Sequence, residues 1–91
     1  MLFDLPSGLE PGRVRAIMSI EVEGRRGPAV IRVLEGVPAV GAVHTTNGRW
    51  DLVAELSAAD LSAFSDALDT IRTIEGVAAT ETSLLLQTHR F

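Results

Sequence analysis

The amino-acid sequence predicts an α+β chain in which two helices lie on one side of a four-stranded sheet, in the order βαββαβ. Three observations predict it. Apolar residues alternate with period two in separate stretches, and between these they recur at three-and-four spacing. The helix-to-strand passage Glu35-Gly36-Val37-Pro38-Ala39 is also echoed by Glu75-Gly76-Val77-Ala78-Ala79, as a duplicated βαβ half would be. The chain has 91 residues, 46% of them hydrophobic and 22% charged, which suits one domain and leaves no room for a second core.

The first strand starts at Val14, with Ala16, Met18, Ile20 and Val22 on one face and Arg15, Ile17, Ser19 and Glu21 on the other. Gly24 to Pro28 breaks the alternation. Gly27 suits an N-cap and Pro28 the first helical position, where its missing N–H costs nothing. Val30, Val33, Leu34 and Val37 then mark a short helix, stopped by Gly36 and Pro38. Val40 to Thr46 reads as a strand leading into Asn47-Gly48, a two-residue hairpin turn with positive φ, and Trp50, Leu52, Ala54 and Leu56 return antiparallel. Ser57-Ala58-Ala59-Asp60 resembles a capping box with the shorter acid, and Leu61, Phe64, Leu68 and Ile71 form the apolar stripe of a second helix ended by Gly76. The last strand is expected from about Ala79 to Thr88. Right-handed crossovers then give a ferredoxin-like sandwich with strands one and three central. Residues 1–13, with two prolines and two glycines, are expected to be an irregular arm, and residues 14–91 the domain.

Two helices cover only one sheet face. Val14, Met18, Ile20, Trp50, Leu52, Leu56, Leu84 and Leu86 are expected on that side. The other carries Ile17, Ser19, Val43, Thr45, Val53, Ser83 and Leu85 among Glu21, Asp51, Glu55 and Glu81. So mixed a face suggests a second sheet stacked on it, hence a homodimer.

Composition excludes much chemistry. The net charge is −4, every basic residue other than histidine is arginine, and no cysteine is present. A phosphate-backbone binder, a Schiff-base lysine, a thiolate nucleophile and a cysteine metal site are all disfavoured. His44 and His89 lack metal-ligand spacing, and Ser65 and Ser83 have no base placed beside them, so no metal, cofactor or catalytic residue is expected. Asp66 and Asp69 suit a solvated helix face. The amino terminus is apolar too briefly for a secretion signal and nothing is long enough to span a membrane, so a cytoplasmic location is expected. Asp51, directly after the turn, stands out. It either bonds turn amides or an arginine, or receives the ammonium of a small ligand, with Gly48 permitting close approach.

These residues resemble the effector-binding domain of the leucine-responsive regulator family, Lrp/AsnC, also called the RAM domain. The likeness covers about residues 14–90. It rests on Gly36-Val37-Pro38-Ala39-Val40, on Thr46-Asn47-Gly48-Arg49-Trp50-Asp51-Leu52 with its Gly-x-x-Asp turn, and on Ile74-Glu75-Gly76-Val77 leading to Thr80-Glu81-Thr82-Ser83-Leu84-Leu85-Leu86-Gln87-Thr88. The resemblance implies a dimeric αβ barrel that assembles further into rings. Small effectors, typically amino acids, then bind between dimers near Gly48 and Asp51, with Asn47, Arg49 and Trp50 as neighbours. Thr80 and Thr82 match polar positions entering the last strand, and Trp50 stands where the family commonly has a smaller aromatic or polar residue. The sequence departs from the family pattern in lacking the amino-terminal DNA-binding domain, so the expectation is a stand-alone module that self-associates and can assemble with full-length regulators, binding neither nucleic acid nor membrane itself. Two alternatives share the element order: a small dimeric αβ-barrel enzyme of the cofactor-independent monooxygenase or isomerase type, with His44, Asn47 and Trp50 in its pocket, and an ACT-type module. A deep polar cavity inside the protomer would favour the enzyme.

Overall fold

A computed structural model of the chain describes residues 12–91, so most of the expected arm lies outside the described residues. The elements are β1 (Val14–Val22), α1 (Gly27–Glu35), β2 (Val40–Thr45), β3 (Leu52–Ala58), α2 (Leu61–Arg72) and β4 (Val77–Leu84). The strands form one antiparallel sheet in the order β2-β3-β1-β4, with β1 and β3 central as expected.

Strict alternation along the two central strands builds the core. Ala16, Met18 and Ile20 of β1 and Leu52, Ala54, Leu56 and Ala58 of β3 are buried beneath Val30 and Leu34 of α1 and Phe64, Ala67 and Ile71 of α2. At roughly 25 cal/mol per Å² of apolar surface removed from water, this face supplies most of the drive to fold. Val33 and Leu61, expected in the helix stripes, are 49% and 66% exposed, because each lies at the edge of its helix's buried arc.

The helix ends differ in detail from the sequence reading. Arg26, not Gly27, is the N-cap of α1, without a side-chain cap bond. Ser57 belongs to β3, and Asp60 caps α2 by accepting from the Ala63 amide at 2.8 Å. A carboxylate there satisfies one of the orphan amides of the first turn. The second helix stops at Arg72, well before Gly76.

Gly76 has a different duty. Its φ is +101°, and a Cβ there would meet Arg26 Cδ at 2.9 Å and Val30 Cγ2 at 3.1 Å. Its carbonyl accepts from the Glu23 amide at 2.8 Å and β4 begins at the next residue. Gly36, its echo, has φ −88° and lies four residues before β2. The repeated pentapeptide therefore performs two different turns.

Face assignment fails at the sheet edges for a physical reason. Val40 pairs with Leu56 but Ala42 with Glu55, so Gly41 is an extra residue in a β-bulge. Beyond it the alternation is inverted: Val43 and Thr45 lie on the helix-facing side, opposite Ala54 and Leu52, and Ala42 and His44 take the open face. At the other edge β4 ends at Leu84 rather than Thr88, since its one partner strand runs out: Leu84 pairs with Ala16, and the Leu85 amide makes the last bond, to Arg15 O at 2.9 Å. Leu84 and Leu86, expected under the helices, are consequently 47% and 90% exposed.

Gly76→Ala should lower stability by about 1–3 kcal/mol, from the positive φ and the contacts its methyl would force. Gly36→Ala, whose Cβ would meet only Val33 O at 3.5 Å, should be near neutral. Urea unfolding of both variants measures the contrast.

Candidate functional site

The β2–β3 connection is a six-residue loop, Thr46 to Asp51, rather than a two-residue turn. Neither Asn47 nor Gly48 has positive φ. Side chains close the loop instead: the Thr46 hydroxyl donates to Trp50 O and accepts from the Gly48 amide at 3.3 Å. Such a hydroxyl bridge replaces the backbone geometry a tight hairpin needs.

Asp51 ties this loop to the central strand. Its amide donates to Ile20 O at 3.0 Å, its carbonyl accepts from the Thr46 amide at 3.1 Å, and its Oδ2 accepts from the Val22 amide at 2.9 Å. The chain leaves the ladder here, so the carboxylate acts as the acceptor that a continuing strand would have offered. Of the two roles open to this acid, a hydrogen bond from a backbone amide is therefore made, though from a strand rather than from the turn. Oδ1 has no partner among the described residues.

The arginine of the loop pairs elsewhere. Arg49 Cζ lies 4.3 Å from the centre of the Trp50 ring, and its Nη1 is 3.9 Å from Glu21 Oε1. The planar cation is thus laid over an indole, a contact worth about 0.5–1 kcal/mol at an exposed site. Asn47, Gly48, Arg49 and Asp51 are exposed and Trp50 half-buried. A Cβ on Gly48 would meet nothing within 4 Å, so no steric demand inside the chain requires glycine there.

The other expected residues lie apart from this loop. Thr80 pairs with Ile20 and Thr82 with Met18, which puts both on the helix-facing side of β4, with β1 between them and β3. Thr82 Oγ1 is buried without a hydrogen-bond partner. His44 lies on the open sheet face with its Nε2 2.6 Å from Glu55 Oε2. Among the described residues no helix crosses that face, which carries half-buried Ile17, Ser19, Ala42, Val53 and Ala79 among charged groups.

A groove of about 450 Å³ opens at the opposite end of β3, floored by Val37, Ala39, Ala58 and Ala67 with Arg13 and Asp66 among its lining. Seven residues of strand place it about 20 Å from the Asp51 loop. Asn47, Trp50 and His44, the residues named for an enzyme pocket, do not line it. Among the described residues no group of three or more His, Cys, Asp or Glu could hold a metal, and no helix is long and apolar enough to cross a membrane.

The register explains what sequence reasoning misses. In the sequence Glu21 merely interrupts the open face, yet its pairing with Arg49 and the Asp51–Val22 bond depend on β1 lying against β3, which no local motif signals.

Comparison with known proteins agrees with this geometry. The family model for the Lrp/AsnC ligand binding domain matches residues 15–90. The chain is 31% identical over 78 residues to a homocitrate synthase of Sulfurisphaera tokodaii, covering 85% of this chain but 17% of that protein. It is 25% identical over 76 residues to the HTH-type transcriptional regulator LysM of Saccharolobus solfataricus, covering 82% of this chain and 54% of the regulator. This chain thus spans about half the length of that regulator and a small part of the synthase. Among solved structures, TTHA0845 from Thermus thermophilus aligns with a TM-score of 0.79 at 29% identity, covering 86% of this chain and 99% of that one. The transcriptional regulator NMB0573 from Neisseria meningitidis, solved as an L-Met complex, shares the fold with a TM-score of 0.76 at 19% identity, over 100% of this chain and 62% of that one.

Asp51→Asn should fold with near wild-type stability, since its side-chain oxygen can still accept from Val22. Asp51→Ala should lose about 1 kcal/mol by orphaning that amide. Chemical denaturation, with exchange protection of the Val22 amide as a local probe, checks both.

Proposed function

Since this chain belongs to the Lrp/AsnC ligand-binding domain family, we propose that it is a cytoplasmic sensor of a small molecule, specifically a free amino acid, and works through assembly rather than catalysis. The site is the loop Asn47 to Asp51. One observation carries the reading: Asp51 is held by Val22 through one carboxylate oxygen, while the other is free among the described residues, on the same exposed loop as Gly48. A pre-positioned carboxylate is suited to an ammonium group, and a charge-assisted contact of this kind contributes roughly 1.5–3 kcal/mol. The neighbour solved as an L-Met complex supports an amino acid as the ligand class. Thr80 and Thr82, on the helix-facing side of β4 with the Thr82 hydroxyl buried, are the weakest members of the proposed site.

The partners are further copies of this chain and full-length regulators of the family. The uncovered sheet face supports self-association: its centre is apolar at Ile17 and Val53, and a second copy would bury it as one sheet covers another. A stable dimer needs on the order of 1,200–2,000 Å² of total buried surface, which a whole sheet face can supply. A ligand bound only by the assembled form would then shift association by mass action. The family is one of regulator ligand-binding domains, and the match to a synthase covers too little of that enzyme to carry its activity here.

Ile17→Glu should leave a folded monomer at micromolar concentration where the wild-type chain is a dimer, as read by sedimentation velocity. A wild-type chain that stays monomeric would overturn the assembly reading. Gly48→Ala should keep the wild-type melting temperature yet lose at least about tenfold in affinity for any amino acid that stabilises the wild-type chain in a thermal-shift panel of all twenty. Twenty silent amino acids would overturn the ligand reading.

A further inference from the structure

Glu21 and Arg49 form a contact that neither folding nor the clamp on Asp51 requires. The two charges are 3.9 Å apart with side chains 42% and 65% exposed, so the pair is weak and solvent-screened. The guanidinium is nevertheless not loose: it lies 4.3 Å over the Trp50 ring, which presents its planar fork rather than letting it sweep through solvent. Asp51 Oδ1 lies on the same loop, two residues away, and Glu21 is the residue between the two β1 groups, Ile20 O and Val22 N, that Asp51 binds. A cation stacked on an indole and a carboxylate bonded to a strand amide therefore sit two residues apart on one loop, and the cation's present partner is an exchangeable carboxylate.

We propose that Arg49 is the specificity residue that reads the carboxylate of a bound zwitterion, and that Glu21 is the stand-in acid which that carboxylate displaces. The inference rests on the reading of the Asn47–Asp51 loop as an amino-acid site and extends it. The ligand class becomes molecules carrying both a free carboxylate and an ammonium group: the ammonium goes to Asp51 and the carboxylate to Arg49, and the displaced Glu21 is exposed enough to be left to solvent. Trp50 acts as the plate that keeps the arginine flat. A bidentate guanidinium–carboxylate contact is stronger and more directional than a single 3.9 Å approach, so the exchange favours the ligand. Because Glu21 competes for the same cation, removing its charge strengthens binding. An exposed pair of this kind limits the gain to about fivefold.

Calorimetry on the intact chain tests this with the twenty L-amino acids and their C-terminal carboxamides as probes, with sedimentation confirming that each variant has the wild-type oligomeric state. For every amino acid that binds, the carboxamide should bind at least about tenfold more weakly to the wild-type chain. Arg49→Gln should erase that preference, Arg49→Lys should restore part of it, and Glu21→Gln should tighten the free acid about two- to fivefold. If amino acids bind and Asp51→Asn abolishes binding, but Arg49→Gln keeps the preference or Glu21→Gln weakens the free acid, the role of Arg49 is wrong while the loop remains the site. If no amino acid binds the wild-type chain, the loop reading fails and this inference with it.

Discussion

Two helices can hide only one side of a four-stranded sheet, and most of this molecule follows from that inequality. Alternation in β1 and β3 sends Ala16, Met18, Ile20, Leu52, Ala54, Leu56 and Ala58 beneath the helices and leaves Ile17, Ser19, Val53 and Glu55 on the other side. A core of this size contributes limited stability, because a chain of 91 residues buries only about 60–65% of its unfolded surface. Covering the second face would add to the same balance, so folding and association draw on one reservoir of apolar surface.

The loop between β2 and β3 is where a folding requirement and the proposed binding site coincide. Val22 needs an acceptor once the chain departs from the ladder, and Asp51 supplies it with one oxygen. The demand that orders the strand end thereby fixes the orientation of the remaining oxygen. A binding carboxylate held by secondary-structure bonds is more accurately placed than one at the tip of a loose loop. Arg49 gains a comparable restraint from Trp50.

The central strands are legible in the sequence because a buried face imposes strict alternation, and the helices because their stripes switch to a period near 3.6. The edges are not. Gly41 bears no mark that distinguishes a bulge from an ordinary strand glycine, yet it exchanges the faces of Val43 and His44. The end of β4 is set by where β1 begins, a fact of register rather than of composition. Gly36 and Gly76 look alike in their pentapeptides, but only Gly76 occupies left-handed backbone against α1. At the loop, Gly48 and Asp51 stand out through their spacing and family resemblance. The partners Val22 and Glu21 lie some thirty positions away and become visible only when the strands are paired.

The bulge gives β2 an unusual kind of evolvability. Since one surplus glycine sets the phase of everything from Ala42 to Thr45, dropping or adding a single residue there would turn the imidazole inward and the valine outward together. Lineages could thus rewrite the chemistry of this border by a change in length, with no codon for a side chain altered.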